Sequence, residues 1–130
     1  MYHETTHNIS VSVMPVLIDE RSDPKKGKYF WAYQVVIENR GTNTATLINR
    51  YWRITDGNGV VEEVFGLGVV GEQPSLHPGD TYEYTSFCPL ATPSGIMAGH
   101  YEMQIADGSR IEVTIPAFSL DLPDAEIVYN

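Results

Sequence analysis

The sequence is poor in cysteine and in basic residues. Cys88 is the only cysteine, so no internal disulfide can form, and a free thiol suits a reducing compartment. Eight Lys and Arg stand against 17 Asp and Glu, for a formal net charge of −9, which opposes binding to duplex nucleic acid or to an anionic membrane. Because there is also no long apolar run and no signal-like N-terminus, we expect a cytoplasmic protein.

The sequence also lacks any stretch with the 3.6-residue period of an amphipathic helix. Its 130 residues are 42% hydrophobic, which is enough for one packed core and too much for a disordered chain. We therefore expect a single domain over residues 1–130, with its core from about residue 8 to about residue 122. Residues 1–6 and the segment from Pro123 onward are expected to be frayed ends.

Apolar residues instead occupy every second position in several segments, which is the pattern of half-buried strands. These segments are Ile9/Val11/Val13, Trp31/Tyr33/Val35/Ile37, Trp52/Ile54, Tyr82/Tyr84, Tyr101/Met103/Ile105 and Ile111/Val113/Ile115. Turn-forming sequences separate them, at residues 39–41, 56–59, 77–80 and 107–108. The spacing predicts seven or eight short antiparallel strands in a sandwich or barrel.

Side-chain direction in these strands allows two further expectations. In regular strands Phe30 and Tyr51 face away from Trp31 and Trp52, which leaves aromatic groups on the surface for a partner. Tyr101 lies near the start of the penultimate strand, where sandwiches often place a tyrosine whose hydroxyl bonds back to the preceding corner. We expect Tyr101 to have this role.

The string His3-Glu4-Thr5-Thr6-His7 has the letters of a zinc metalloprotease motif, in which two His ligands lie one helical turn apart. The segment is too short to hold a helix, contains two β-branched threonines and leads straight into a strand. A third ligand would have to fold back onto it from elsewhere in the chain. A polar tail without metal is the favoured interpretation.

The string Gly66-Leu67-Gly68-Val69-Val70-Gly71 matches a dinucleotide-binding fingerprint and follows a strand-like segment. The next residues, Glu72-Gln73-Pro74, do not begin the helix that such a site needs. Two interpretations stay open. The glycines lie at bends between strands, which we favour, or their amides form an anion-binding nest near Arg50 or Arg53.

Acidic residues gather in two groups, which are Asp19, Glu20 and Asp23, and Glu62, Glu63 and Glu72. Their oxygens suit a hard cation, but neither group has the spacing of a calcium loop, so solvated surface charge is favoured. Cys88 has no neighbouring His in the sequence to activate it, and no serine lies in a nucleophile-elbow pattern. We expect no catalytic residue, no resident metal and no cofactor.

Two longer strings are the most specific in the chain, namely Arg50-Tyr51-Trp52-Arg53-Ile54-Thr55-Asp56 and Gly68-Val69-Val70-Gly71-Glu72-Gln73-Pro74. Together with residues 22–24, 29–33, 66–67, 78–79, 84–86, 89–97, 99–103 and 115–118, they resemble the ApaG family. The resemblance covers nearly the whole chain. It breaks at Phe87, where a small residue, commonly Gly, is expected, and the His3–His7 string lies outside the family's pattern.

The resemblance implies an antiparallel β-sandwich of the immunoglobulin/fibronectin type III kind, but no settled activity. Bacterial ApaG proteins are associated with cobalt resistance and magnesium efflux, and ApaG domains in F-box proteins and in a polymerase-delta-interacting protein look like protein-binding modules. We therefore expect a non-enzymatic module that binds an unidentified protein partner, with a homodimer as a further option. The alternative is a small-ligand domain that binds pyrophosphate, a nucleotide, or a divalent cation such as Mg²⁺ or Co²⁺ at the glycine-rich segment.

Both hypotheses draw on one set of candidate binding residues. They are Arg50, Tyr51, Trp52, Arg53, Gly66, Gly68, Gly71, Glu72 and Gln73.

Overall fold

Nine β-strands and two short 3₁₀ turns make up residues 1–122, the part of the chain that the computed structural model describes. The strands are β1 (Tyr2–Thr6), β2 (Ile9–Leu17), β3 (Tyr29–Asn39), β4 (Ala45–Asp56), β5 (Val61–Leu67), β6 (Ser75–Leu76), β7 (Thr81–Leu90), β8 (Gly95–Ile105) and β9 (Arg110–Leu120). The 3₁₀ turns, Asp19–Arg21 and Pro24–Lys26, lie between β2 and β3. Within these residues no helix has the length and apolar character that crossing a membrane requires. The frayed end expected from Pro123 onward lies outside the described residues.

The strands form two antiparallel sheets that face each other. The first sheet has the order β1-β2-β3-β7, and the second has the order β5-β4-β8-β9, with β6 paired to the start of β4. The predicted antiparallel β-sandwich is confirmed, although it has nine strands in place of seven or eight. The sequence pattern does not predict β1, or β6, which is only two residues long.

The core lies between the sheets and is built from alternate residues of the strands. Every apolar face that the alternation predicts is turned inward or packs against the buried cluster. Three aromatic rings meet there, since Trp52 contacts Tyr33 at 5.3 Å and Phe118 at 5.9 Å between ring centroids. Burial of one such large side chain contributes roughly 1.5–3 kcal/mol, so these rings are major contributors to stability.

A β-bulge sets the direction of the side chains of β4. The pairing with β8 shifts register between Leu47 and Asn49, which leaves Ile48 as the extra residue. Leu47 faces the core before the bulge and Trp52 faces it afterwards, although they lie five positions apart and would point to opposite faces of a regular strand. The second half of β4 therefore carries its even-numbered side chains inward.

The first residues form a strand and are not the frayed end that the sequence predicts. β1 pairs with β2 along its whole length. Thr6 Oγ1 accepts a hydrogen bond of 3.3 Å from the backbone N–H of Thr114 in β9, and the ring of Tyr2 packs against Phe118 at 5.9 Å. Because most β1 side chains are exposed, the strand is held mainly by its backbone pairing, which leaves little trace in the pattern of apolar residues.

The two sides of the sandwich differ. On one side β1 lies against β9, so the edges of the two sheets meet there. On the other side the edge strands are β5 and β7, which do not pair with each other or with any other described strand on their outer edges. This open side is where the predicted binding residues of β4 and β5 lie.

Deletion of residues 1–6 should lower the free energy of unfolding by about 2–5 kcal/mol, because β1 pairs with β2 along its whole length and each backbone hydrogen bond has a net contribution of roughly 0.5–1.5 kcal/mol. Urea unfolding followed by tryptophan fluorescence measures the change. A Glu4→Ala variant, which keeps the strand and alters only an exposed side chain, should unfold like the parent chain. An unchanged midpoint after the deletion would show that β1 does not unfold together with the sandwich.

Candidate binding surfaces at the open side

The predicted binding residues of β4 and β5 divide between two surfaces. Arg50 pairs with Gly66 and Tyr51 pairs with Phe65 across the two strands. Because side chains alternate along a strand, Arg50 faces the interior with Trp52, whereas Tyr51 faces outward. Arg53, two positions further along, is exposed on the same outer face as Tyr51.

Three rings form a row across the outer face of the second sheet, here called the aromatic row. Tyr51 of β4 lies between Phe65 of β5 and His100 of β8. Its ring centroid is 4.9 Å from that of Phe65 and 5.1 Å from that of His100. Phe65 is 74% exposed, and Leu67, two residues along β5, is 75% exposed. Neighbouring apolar side chains exposed to this degree are typical of a contact surface, whereas isolated ones are common everywhere.

Carboxylates surround the aromatic row. The hydroxyl of Tyr51 donates a hydrogen bond of 2.7 Å to Glu63 Oε2, and this bond raises the pKa of Tyr51 above its ordinary value. Glu112 Oε1 lies 3.7 Å from His100 Nε2, and the carboxylate of Glu102 accepts hydrogen bonds from neighbouring side chains of β4 and β9. The row borders a depression of about 480 Å³ lined by Asn49, Arg50, Tyr51, Phe65, Gly66, Leu67, His100, Glu102 and Glu112.

The glycine-rich segment is a tight turn that leads from β5 toward β6, here called the glycine turn (residues 68–73). Val69 and Glu72 exchange two backbone hydrogen bonds of 2.8 and 2.9 Å around Val70 and Gly71. Both central residues have positive φ, 42° at Val70 and 82° at Gly71, which is an uncommon conformation for a β-branched side chain. The favoured interpretation of these glycines as a bend between strands is therefore confirmed.

The glycine turn is anchored to the bulge of β4. The carbonyl of Ile48 accepts hydrogen bonds of 2.9 Å from the Gly68 backbone N–H and from Gln73 Nε2. A Cβ atom at Gly68 would lie 2.0 Å from the carbonyl oxygen of Glu72, so only glycine fits there. Because the amides of Gly68, Val69 and Glu72 already bind carbonyls of the protein, few remain for an anion-binding nest.

A cleft opens between the sheets at the edges of β5 and β7, and it has two lobes of about 240 Å³ each. Both lobes are lined by Tyr33, Arg50, Trp52 and Ser86. The turn lobe, as we call the first, is completed by Leu67, Val69, Val70, Gly71 and Tyr84. The second, the thiol lobe, is completed by Ile54, Glu62, Val64, Phe87, Cys88, Pro89 and Met97.

Arg50 connects β4 to the end of β5 and the start of the glycine turn at this cleft. Its Nη1 donates hydrogen bonds to the carbonyl oxygens of Leu67, at 3.1 Å, and Gly68, at 2.8 Å. Gly66 leaves room for the guanidinium, because a Cβ atom there would lie 2.7 Å from three of its atoms. Arg50 therefore links the inner face of β4 to the start of the glycine turn.

Tyr101 does not bond to the preceding corner, and that prediction is wrong. Its side chain is completely buried between the sheets, and its hydroxyl forms a hydrogen bond with the hydroxyl of Tyr84 in the facing sheet. Burial raises the pKa of Tyr101, of Tyr84 and of the nearby Tyr33, while the positive charge of Arg50 acts in the opposite direction on all three. The prediction failed because Tyr101 points into the sandwich, where a tyrosine of the other sheet is closer than the loop.

Comparison with known proteins agrees with this architecture. The family model of the ApaG domain matches residues 19–105. The chain belongs to the ApaG family. Protein ApaG of Agrobacterium fabrum is 56% identical and that of Mesorhizobium japonicum 54% identical over 130 residues, with complete coverage of both chains. A crystal structure of an ApaA protein from Bordetella pertussis is 48% identical, with a TM-score of 0.86, and covers 94% of this chain and 96% of that one. None of these names states an enzymatic activity.

The remaining polar motifs of this ApaG-family chain do not assemble into a site. His3 lies in strand β1 and His7 in the turn that follows, with a φ of 51°, so the helical spacing that a zinc motif needs is not formed. Glu62 lines the cleft between the sheets, whereas Glu63 bonds to Tyr51 on the outer face. Within residues 1–122 no three His, Cys, Asp or Glu side chains are grouped closely enough to hold a metal ion.

Cys88 and Phe87 lie on opposite faces of β7. Cys88 is buried, and burial raises the pKa of its thiol to about 11, so it is a neutral thiol near pH 7. Phe87, the residue at which the chain departs from the expected ApaG pattern, is 53% exposed. Its ring stacks on that of Phe30, with 5.5 Å between the ring centroids. As predicted, Phe30 faces away from Trp31, on the outer face of the first sheet.

The burial of Tyr84 and Tyr101 predicts instability at alkaline pH, because it raises the pKa of both hydroxyls. Both tyrosines have a folded-state pKa above the ordinary value of 10.0, so above about pH 10 the unfolded chain loses protons that the folded protein keeps. The free energy of unfolding is therefore unaffected by these groups below that pH and falls as the pH rises above it.

Tyr101→Phe should lower the free energy of unfolding at neutral pH by about 1–2 kcal/mol, because the buried hydrogen bond is lost, and should make the alkaline decline shallower. Urea unfolding at neutral pH and at a series of pH values around 10 measures both effects. Tyr2→Phe alters a tyrosine that is 36% exposed and serves as the control. Parallel pH curves for Tyr101→Phe and the parent chain would contradict this account.

Proposed function

We propose that this ApaG-family chain is a cytoplasmic protein-interaction module without catalytic activity, and that its aromatic row binds an extended, basic segment of a partner protein. The observation that carries the proposal is the aromatic row itself. It runs across three strands and ends in the highly exposed Phe65 at an unpaired sheet edge. On this proposal, any effect of the family on cobalt resistance and magnesium efflux would be exerted by the bound partner protein.

The edge strand β5 offers backbone groups as well as side chains. It is the last strand of the second sheet, so every second N–H and C=O points away from β4. Natural edge strands are often protected by proline or lysine, and the free edge β7 contains Pro89, but β5 contains neither residue. An extended peptide can therefore pair with β5 and place alternate side chains on the aromatic row.

The charges around the aromatic row favour a basic partner. Glu63, Glu102 and Glu112 lie beside it, within a chain whose formal net charge is −9. Arg110 and Glu102 compensate each other at 2.9 Å. Arg53 is exposed on the same outer face, so the negative charge that favours a basic partner comes from Glu63, from Glu112 and from the net charge of the whole chain. Complementary charge accelerates association and selects the partner, so we expect Lys or Arg on both sides of an apolar residue in the bound segment.

Selection from a displayed library of random peptides tests this proposal. We expect enriched sequences with an apolar residue flanked by Lys or Arg, and a loss of affinity of about ten-fold or more for Phe65→Ala, because aromatic anchors carry much of the energy of an interface. Fluorescence polarisation of each selected peptide measures its affinity for the parent chain and for the Phe65→Ala variant, and the ratio of the two affinities gives the loss. The selected peptides should also bind the parent chain more weakly at high salt, because salt screens the attraction between a basic peptide and the surrounding carboxylates.

Phe87→Ala is the matched control, because Phe87 is another exposed aromatic residue, on the opposite sheet. An equal loss for Phe65→Ala and Phe87→Ala, or no enriched sequence, would overturn the proposal. Sedimentation equilibrium tests whether the chain forms a dimer through the aromatic row. A dimer that Phe65→Ala dissociates would show that the aromatic row binds a second copy of this chain, and the proposal of a basic partner segment would then be wrong.

A further inference from the structure

We propose that the turn lobe of the cleft is a binding site for a carboxylate group on a short aliphatic chain, with the guanidinium of Arg50 as its charge partner. The site lies on the inner face of β4, whereas the aromatic row lies on the outer face. Arg50 and Leu67 also border the depression beside the aromatic row, so the two surfaces adjoin. The carboxylate proposal does not rest on the function proposed above, because it concerns a different ligand, and Phe65→Ala distinguishes the two.

The first argument is the uncompensated charge of Arg50. Arg40 and Arg110 each lie 2.9 Å from a glutamate oxygen, but no described carboxylate lies within 4.0 Å of Arg50. One nitrogen, Nη1, binds two backbone carbonyls, and the other guanidinium N–H groups have no acceptor among the described residues. A half-buried cation of this kind is stabilised by an anion, and the hydrogen bonds of a guanidinium to a carboxylate are among the strongest in proteins.

The second argument is the supply of hydroxyl donors around the same lobe. Tyr84 and Tyr101 share one hydrogen bond, which uses one of their two hydroxyl hydrogens. Tyr101 is completely buried, whereas Tyr84 lines the turn lobe, so an arrangement in which Tyr101 donates leaves the Tyr84 hydrogen for a ligand. Tyr33 and Ser86, which also carry hydroxyl groups, line the same lobe.

Charge and size select the class of anion. Arg50 is the only charged residue among the described residues that line the turn lobe, and Glu62, in the lining of the adjacent lobe, adds a negative charge nearby. One positive charge matches a monoanionic carboxylate, whereas phosphate or pyrophosphate would leave excess negative charge in a chain of net charge −9. A volume of about 240 Å³ walled in part by Trp52 and Val69 leaves room for a few methylene groups beside the carboxylate.

Nuclear magnetic resonance of the full ¹⁵N-labelled chain tests the site, with propionate as the probe at constant pH and ionic strength. We expect saturable shifts of the Arg50 Nε–H signal and of the Gly71 amide signal. Arg50→Gln should weaken propionate binding by about ten-fold or more, because the charge-assisted hydrogen bonds are lost. Arg53→Gln is the matched control, since Arg53 is the neighbouring arginine on the outer face, and it should bind propionate like the parent chain.

Further probes make each outcome decisive. N-acetylalanine should bind with similar affinity if the natural ligand is the C-terminus of a peptide, and much more weakly if it is a free acid. Tighter binding of phosphate or pyrophosphate than of propionate would overturn the carboxylate assignment. Equal binding of propionamide, or shifts that do not saturate, would overturn the role of Arg50.

A second variant keeps the test valid should Arg50→Gln fail to fold, which a circular dichroism spectrum would reveal. Gly66→Ala retains the arginine but places a methyl group where the guanidinium now lies. It should displace Arg50 and weaken propionate binding by about ten-fold, and unchanged binding would overturn the site. Phe65→Ala should leave propionate binding unaffected, which separates this site from the aromatic row.

Discussion

The pairing of β4 with its neighbours on both sides is the constraint on which the rest of this structure depends. β4 is bonded to β5 on one edge and to β8 on the other, and the bulge at Ile48 determines which of its side chains face the core. Downstream of the bulge, strict alternation sends Arg50 and Trp52 inward and Tyr51 outward. One strand thereby supplies the positive charge of the cleft and the central ring of the aromatic row, so residues of the same strand contribute to two different surfaces.

The asymmetry of the sandwich determines where those surfaces can be reached. On one side β1 lies against β9, which closes the space between the sheets. On the other side β5 and β7 leave a cleft, and the glycine turn, anchored at the Ile48 carbonyl, forms its rim. Binding groups in β-sandwiches commonly lie on the loops and edges that the sheets hold in place. Here the rigid part is the packed sheet pair, and the accessible part is the edge of β5 with the turn that follows it.

Sequence reasoning recovered most of the fold and less of the site. The hairpins at Asp107-Gly108 and at residues 56–59 were predictable because glycine supplies the positive φ that tight turns need, as Gly108 and Gly59 do. Strand β1 was not, since its side chains are mostly exposed and polar, and it is held mainly by its backbone pairing with β2. Tyr101 was correctly placed in a strand, but its hydroxyl partner was wrong, because the partner belongs to a segment 17 residues away in sequence and in the other sheet.

The sequence by itself determined the fold class, the turns between strands and the outward direction of Phe30 and Tyr51, because these follow from local backbone geometry and from a period of two. Only the tertiary structure decided that the candidate residues divide between an outer row and an inner cleft, and that Arg50 lies near three tyrosines with no carboxylate of residues 1–122 beside it. The physical reason is that charge compensation and ring stacking depend on distances between strands, and strands distant in sequence become neighbours only when the two sheets pack.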